Sequence, residues 1–358
     1  MLKLIAIYLR FGVLGFGGPF ALVAMMQEEL VEKRRWIPQE KFLQAFSMIK
    51  VLPGATATQL AIYIAHYRAG RLGGALAGVA FILPSALAVL LLSIFYVKAN
   101  QTAHLSALFQ GMQIGALVVI ADSVVKMAKP YWRSRRAAAI ATVAGAMIFW
   151  DAGLEPFLIM GFGLIGILKP ASRARAIGLA PALAPTMKLA LICLKTGFLV
   201  FGTGLAIIPV LEADIVTKQH WLTHAEFLDG LALGQITPGP VSTTATFIGY
   251  KVAGLAGAFW ATVAIFTSAF FNILVLLPLV EHRLKGSPKL KAFTDWAFPA
   301  VIGGIAATSL SLGLSTVTTA PLLFFLLLFV GVLFKWHPPA WAFIPLSGVV
   351  IFVASHLN

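Results

Sequence analysis

Much of this chain is written twice. The run FGVLGFGGPFAL (Phe11 to Leu22), followed by Trp36, Phe42 and LPGA (Leu52 to Ala55), returns 185 residues later as TGFLVFGTGLAI (Thr196 to Ile207), Trp221, Phe227 and TPGP (Thr237 to Pro240). Register holds without a gap from Arg10/Lys195 to about Ala61/Thr246, then slips to 184, which sets Gly70 on Gly254 and Gly73 on Gly257. Each copy interrupts an apolar run at FGGP or FGTG and again at Pro-Gly. Any fold of this chain must therefore house two matching units with matching breaks. In a membrane protein, paired broken helices in corresponding positions mark a transporter with its site near the bilayer midplane.

Composition supplies the membrane. With 59% apolar and only 11% charged residues among 358, most side chains must face lipid or one another. The 27 bases against 13 acids are read as loop charges that set orientation, so no nucleic acid partner is expected. One cysteine, Cys193 in an apolar run, permits no internal disulfide. The first apolar stretch is no signal peptide, because its copy recurs inside the chain near residues 189 to 211. No GxxxxGK[ST] run is present, and no cluster of acids or histidines suggests a metal or a membrane-embedded enzyme. Neither cofactor nor metal is expected.

Twelve apolar segments can be drawn, six per half, the two Pro-Gly ones at about 42 to 64 and 227 to 250. The proline-containing basic stretch between the copies divides the chain into a first repeat (1–170), a linker (171–186) and a second repeat (187–358). If all twelve segments cross, the loop bases divide 13 to 11, with no bias between the two sides. If the segments around Pro53 and Pro238 are instead re-entrant, 20 loop bases fall on one side and four (Lys3, Lys98, Lys218 and Lys251) on the other. The positive-inside rule favours the second arrangement. Five crossings per half is odd, so the second half sits upside down. The expected fold is an all-α integral membrane protein of two inverted-topology repeats, with about ten transmembrane helices and two re-entrant Pro-Gly segments. Such repeats are the geometry of alternating access.

Three bases remain inside apolar segments: Arg10, its repeat mate Lys195, and Lys50, whose mate is Gln235. A cation in hydrocarbon costs at least about 2.5–3.5 kcal/mol, although Arg10 can also snorkel to the nearer interface. Helix ends exposed by the breaks add N–H groups and partial positive charge. Together these features describe a setting for an anion. The candidate substrate-binding set comprises Arg10, Lys50 and Lys195 for charge, and Gln59 and Gln235 for orientation. Gly17, Gly18, Gly202, Thr203 and Gly204, with Pro53, Gly54, Pro238 and Gly239, give backbone approach. Thr56, Thr58, Ser242, Thr243 and Thr244 supply hydroxyls, which can equally cap the helices that follow. Glu29 and Asp214 are repeat mates at the ends of the first segments, where they can gate, carry protons or simply be solvated. Asp122 precedes Lys126 by four residues, as a structural helical ion pair.

On these residues the chain resembles the chromate transporter (CHR) family, in its long form with two homologous halves. The resemblance rests on FGGP (Phe16 to Pro19), Trp36, LPGA with Gln59 downstream, and LPS (Leu83 to Ser85) in the first half. In the second it rests on FGTG with Pro209, Trp221, EFLDGLALGQITPGP (Glu226 to Pro240), ATFIGY (Ala245 to Tyr250) and Gly254. It implies a multi-pass inner-membrane exporter of chromate or a related divalent oxyanion, a class linked to sulfate chemistry. The family's first half usually reads Gln before a PGP turn and His shortly after FGGP, where this chain has Lys50, Ala55 and Leu22.

The expected partners are thus an inorganic oxyanion and the lipid bilayer, and a homodimer is compatible with the sequence. Uptake or exchange of sulfate-like anions and an anion channel are the alternatives, with a membrane enzyme or a scaffold behind them. An extra fixed charge at Lys50 strengthens anion binding in this reading. Lys50→Gln is expected to weaken oxyanion binding, and an unchanged affinity in an equilibrium binding assay would remove Lys50 from the site.

Overall fold

A computed structural model describes residues 1–15, 18–49, 52–99, 106–151, 154–167, 184–199, 205–279 and 288–356. Most of the expected linker lies outside them. Among the described residues the chain is helical throughout and forms no strand. The first half carries α1 (Leu2–Leu14), α2 (Gly18–Met26), α3 (Gln39–Ile49), α4 (Thr56–Ala99), α5 (Ser106–Ala128), α6 (Arg135–Trp150) and α7 (Glu155–Ile167). The second carries α8 (Pro185–Leu199), α9 (Ile207–Leu211), α10 (His224–Ile236), α11 (Thr244–Phe271), α12 (Pro288–Thr316), α13 (Ala320–Trp336) and α14 (Ala340–His356). Helices satisfy their own backbone groups, as an apolar surround demands. Among the described residues, four stretches are long and apolar enough to cross a membrane: Thr56–Lys98, Ser106–Tyr131, Val241–Leu279 and Asp295–Thr316. The molecule is an all-α, multi-pass membrane protein.

The sequence repeat is also a backbone repeat. α2 runs into a π-helical turn at Gln27–Lys33 and α9 into another at Glu212–Lys218. Each turn ends the same way: the Trp36 N–H donates to Leu30 O at 2.7 Å and the Trp221 N–H to Ile215 O at 2.9 Å. Arg35 and His220, the residues just before these tryptophans, both take left-handed backbone (φ 52° and 50°). The next helix of the second half, α10, opens with a reciprocal cap, in which Thr223 and Glu226 each bind the other's backbone N–H.

Helices α4 and α11 are hairpins. α4 leaves helical geometry at Ala69 and Gly70 (φ 69°, ψ −171°), and α11 does so at Ala253 and Gly254 (φ 59°, ψ −147°). The chain then folds back on itself. A Cβ on Gly74 would stand 3.1 Å from the Cβ of His66, and one on Gly249 would stand 2.3 Å from the Gly257 carbonyl oxygen. The arm 56–68 rises only about 20 Å at 1.5 Å per residue, short of the ~30 Å hydrocarbon core, whereas the arm 71–99 exceeds it. A short arm followed by a long one is the shape that a re-entrant segment and a crossing helix require.

The two halves are interlocked. α12 of the second half packs along α6 and α7 of the first, α14 packs along α5, and α11 packs on α4. The apolar core accordingly draws on both halves, from Tyr8, Phe42 and Phe81 to Phe227, Phe247 and Ile305.

The φ of Gly70 and Gly254 is strained for any residue with a side chain, although a Cβ there would meet nothing within 4 Å. Gly70→Ala and Gly254→Ala should each lower stability by about 1–3 kcal/mol through backbone strain alone. Gly331→Ala, at a helical position with equally open space, should not. Thermal melts in detergent check the contrast.

Candidate functional site

The second Pro-Gly turn seats against the first half. After α10 ends, Thr237 and Pro240 are extended and Gly239 takes φ 100°, a conformation that suits only glycine. Its N–H donates to the carbonyl oxygen of Gly15 at 2.9 Å, where α1 has just ended. Gly15 directly precedes FGGP, so the TPGP turn of one half closes on the break of the other. A Cβ on Gly239 would come within 2.8 Å of the Ser85 Cβ, and Ser85 Oγ lies 3.0 Å from Thr243 Oγ1. The first Pro-Gly turn is held reciprocally: the Pro53 carbonyl accepts from Asn272 Nδ2 at 2.5 Å, across the halves, and from Gln59 Nε2 within its own. Gly54 (φ 116°) faces Ser268.

A cavity of about 440 Å³ opens beside the TPGP turn. Gln235, Thr237 and Gly239 line one wall, and Ser123 and Lys126 of α5 and His337 line another. Gln235 Nε2 is buried there with no hydrogen-bond partner, an amide donor awaiting an acceptor. Ser123 donates to Val119 O and Thr237 to Gly234 O, so Gln235 is the donor that stands ready. Lys126 Nζ holds Asp122 at 2.5 Å, with the lysine more than half exposed and the aspartate nearly covered. An unpartnered amide on one wall and an exposed cation on the other form a chemical environment for an oxyanion.

The bases of the two first segments lie beside acids. Lys195 Nζ is bound to Asp214, which also accepts from Lys218 at 3.2 Å. Its mate Arg10 lines a smaller cavity of about 210 Å³ together with Glu28, Glu29 and Lys33. Glu29 accepts from Arg34 Nε at 2.8 Å, and Glu28 binds Lys33 at 2.6 Å, a hydrogen bond that holds the Glu28 carboxyl below its usual range. Asp214 is buried and Glu29 partly so, rather than lying at solvated helix ends. In both halves the π turn brings these acids back against the basic face of the first helix.

Other candidates are placed as follows. Thr56, Thr58 and Gln59 are buried at the start of α4, and neither Thr58 Oγ1 nor Gln59 Oε1 has a partner. Ser242, Thr243 and Thr244 are buried after the TPGP turn. Thr243 and Thr244 donate to the carbonyls of Pro240 and Val241, which makes them turn-closing groups in this state. Pro238 is half-buried in the turn, and Gly18 opens α2. Gly17, Lys50, Gly202, Thr203 and Gly204 lie outside the described residues. Sequence reasoning passed over Ser123 and His337, treated Lys126 as a loop charge with a structural partner, and missed Asn272. A lone amide in an otherwise apolar run, as Asn272 is, was the available signal.

Comparison with known proteins bears on the whole chain. A family model described as chromate transporter matches it twice, over residues 2–167 and 187–352. The chromate transport protein of Cupriavidus metallidurans is 32% identical over 99% of this chain and 94% of its own length. The probable chromate transport protein of Synechococcus elongatus is 33% identical over 92% of this chain and 88% of its own. The chromate transport protein of Pseudomonas aeruginosa is 34% identical over 89% and 82%. No solved structure matches the chain. Two family matches separated by the spacing of the repeat, and relatives of this identity along nearly the whole length, make this chain a member of the chromate transporter family.

Proposed function

We propose that the protein is a secondary transporter that exports chromate or a related divalent oxyanion across the cell inner membrane by alternating access. Membership of a transporter family makes it a transport protein rather than an enzyme. The observation that carries the choice of an anion is Gln235, which lines the cavity beside the cross-half TPGP turn and whose amide nitrogen is buried without a partner. An oxyanion supplies the acceptor it lacks, and Lys126 adds positive character.

In this reading the halves (1–170 and 187–358) are inverted repeats, with ten crossing helices and two re-entrant Pro-Gly segments. The lopsided loop charge, the short arms before Gly70 and Gly254, and the matched π turns support it. The substrate moves between the Pro-Gly turns and the FGGP and FGTG breaks. Gln59, Gln235 and the hydroxyls at residues 56, 58 and 242–244 orient it, and the glycines let backbone approach. Lys50 adds charge from the first turn. Lys195 contributes only when Asp214 lets go, and Asp214 and its repeat mate Glu29, which holds Arg34, act as gates. A dianion leaving a negative interior gains about 4.6 kcal/mol per 100 mV, enough to drive export without nucleotide.

Inside-out vesicles bearing the purified protein should take up labelled chromate saturably, and faster when the vesicle interior is positive. Sulfate flux alone would keep the mechanism and change the substrate; flux of neither would overturn the assignment. Gln235→Leu should raise the half-saturating concentration about ten-fold or more, the loss of one hydrogen bond to a charged group, with the protein still monodisperse in detergent.

A further inference from the structure

Asp229 lies in the middle of α10 and is only 4% exposed. Both of its carboxylate oxygens are held from the other half of the molecule. Tyr96 OH, near the end of α4, donates to Oδ2 at 2.7 Å, and Gln113 Nε2 of α5 donates to Oδ1 at 2.8 Å. Two aromatic rings, Phe109 and Phe247, pack edge-on against Tyr96 at 4.9 and 5.2 Å and screen the site. Two neutral donors on two oxygens fit a carboxylate and leave its charge unneutralised. Lys251 of α11 is bound to Glu226 at 2.8 Å and leans over the Tyr96 ring at 5.8 Å.

The other charged and titratable groups on the packed elements are placed as follows. On α5, Asp122 and Lys126 bind each other more than two turns beyond Gln113. α4 ends near the exposed Lys98, and α14 carries the exposed His356. His224 of α10 faces Glu212 at 3.3 Å, and Asp214 holds Lys195 and Lys218. Lys289, Lys291 and Asp295 sit in the first turns of α12.

Among the described residues Asp229 has no ion-pair partner, and an ionisable group kept in a membrane interior without one is expensive and marks an ion or proton pathway. Glu226, one turn earlier on the same face of α10 and partly exposed, gives Asp229 a route to water. Because both donors belong to the other half, the charge state of Asp229 is tied to how the halves sit. Protonation replaces an acceptor with an O–H that faces donors, which loosens the contact.

We propose that Asp229 is the proton-binding site of this transporter, taking up a proton when Tyr96 and Gln113 withdraw and releasing it when they close, so that proton and oxyanion movements are linked. No bond other than that to the proton is made or broken. This inference rests on the transport reading above, and two assays on the same proteoliposomes separate the two. Counterflow of labelled chromate or sulfate at equal pH on both sides needs only substrate binding and alternation. Accumulation driven by an imposed pH difference, with the potential clamped to zero, also needs the proton site.

Wild-type protein should show both. Asp229→Asn should keep counterflow within about two-fold and lose pH-driven accumulation at least ten-fold, while Asp229→Glu should recover a substantial part of it. Accumulation that survives in Asp229→Asn, or wild-type flux indifferent to the pH difference, would overturn the proposal. So would loss of counterflow together with accumulation in both variants, which would make the residue structural. Absence of wild-type counterflow with either anion would instead overturn the transport reading, and this inference with it.

Discussion

A backbone that stops being helical in an apolar surround must find hydrogen-bond partners outside its own helix. Here it finds them in the opposite repeat. The Gly239 N–H reaches the Gly15 carbonyl, and the Pro53 carbonyl receives Asn272. The Gly239 N–H and the Pro53 carbonyl each take a partner from the opposite half, and Gln59 gives the Pro53 carbonyl a second from its own. The rest of the architecture follows from this exchange. Helices α11 and α4 must pack to present Ser268 and Ser85 to Gly54 and Gly239, and the cavity beside Gln235 is the space left where the turn meets α5 and the α13–α14 connection.

Electrostatics divides the basic residues into two kinds. Lys195 is held by Asp214, and Arg10 sits in a cavity that also carries Glu28 and Glu29. Lys126 is tied to Asp122 but remains largely exposed at the edge of the larger cavity.

Much of this was legible in the sequence. The breaks at FGGP and Pro-Gly stand out because glycine and proline interrupt apolar runs at equal spacing in both copies. The alignment of Gly70 with Gly254 marked matching positions, yet periodicity alone does not reveal that the helix folds back there. Contacts between the halves were out of reach: Ser85 meets Thr243 across 158 residues and Asn272 meets Pro53 across 219, and nothing local encodes such pairings. Asp214 reads as a solvated helix end because it follows the last apolar residues. The π turn carries it back onto Lys195, and π turns have no reliable local signature. Lys126 was placed correctly beside Asp122, but the cavity it borders is made by residues from three other elements.

The interlocking of the halves also sets a schedule. α5, α6 and α7 are made early, yet the helices that cover them, α12 and α14, come more than 100 residues later. At roughly 5–20 residues per second, the faces that await those helices, and polar groups such as Gln113, stay uncovered for seconds after they enter the membrane. During that interval lipid, the insertion machinery or another chain must stand in for the missing half. The molecule reaches its final packing only when the last two hundred residues arrive, so its assembly is a post-insertion event rather than the sum of two independently folded repeats.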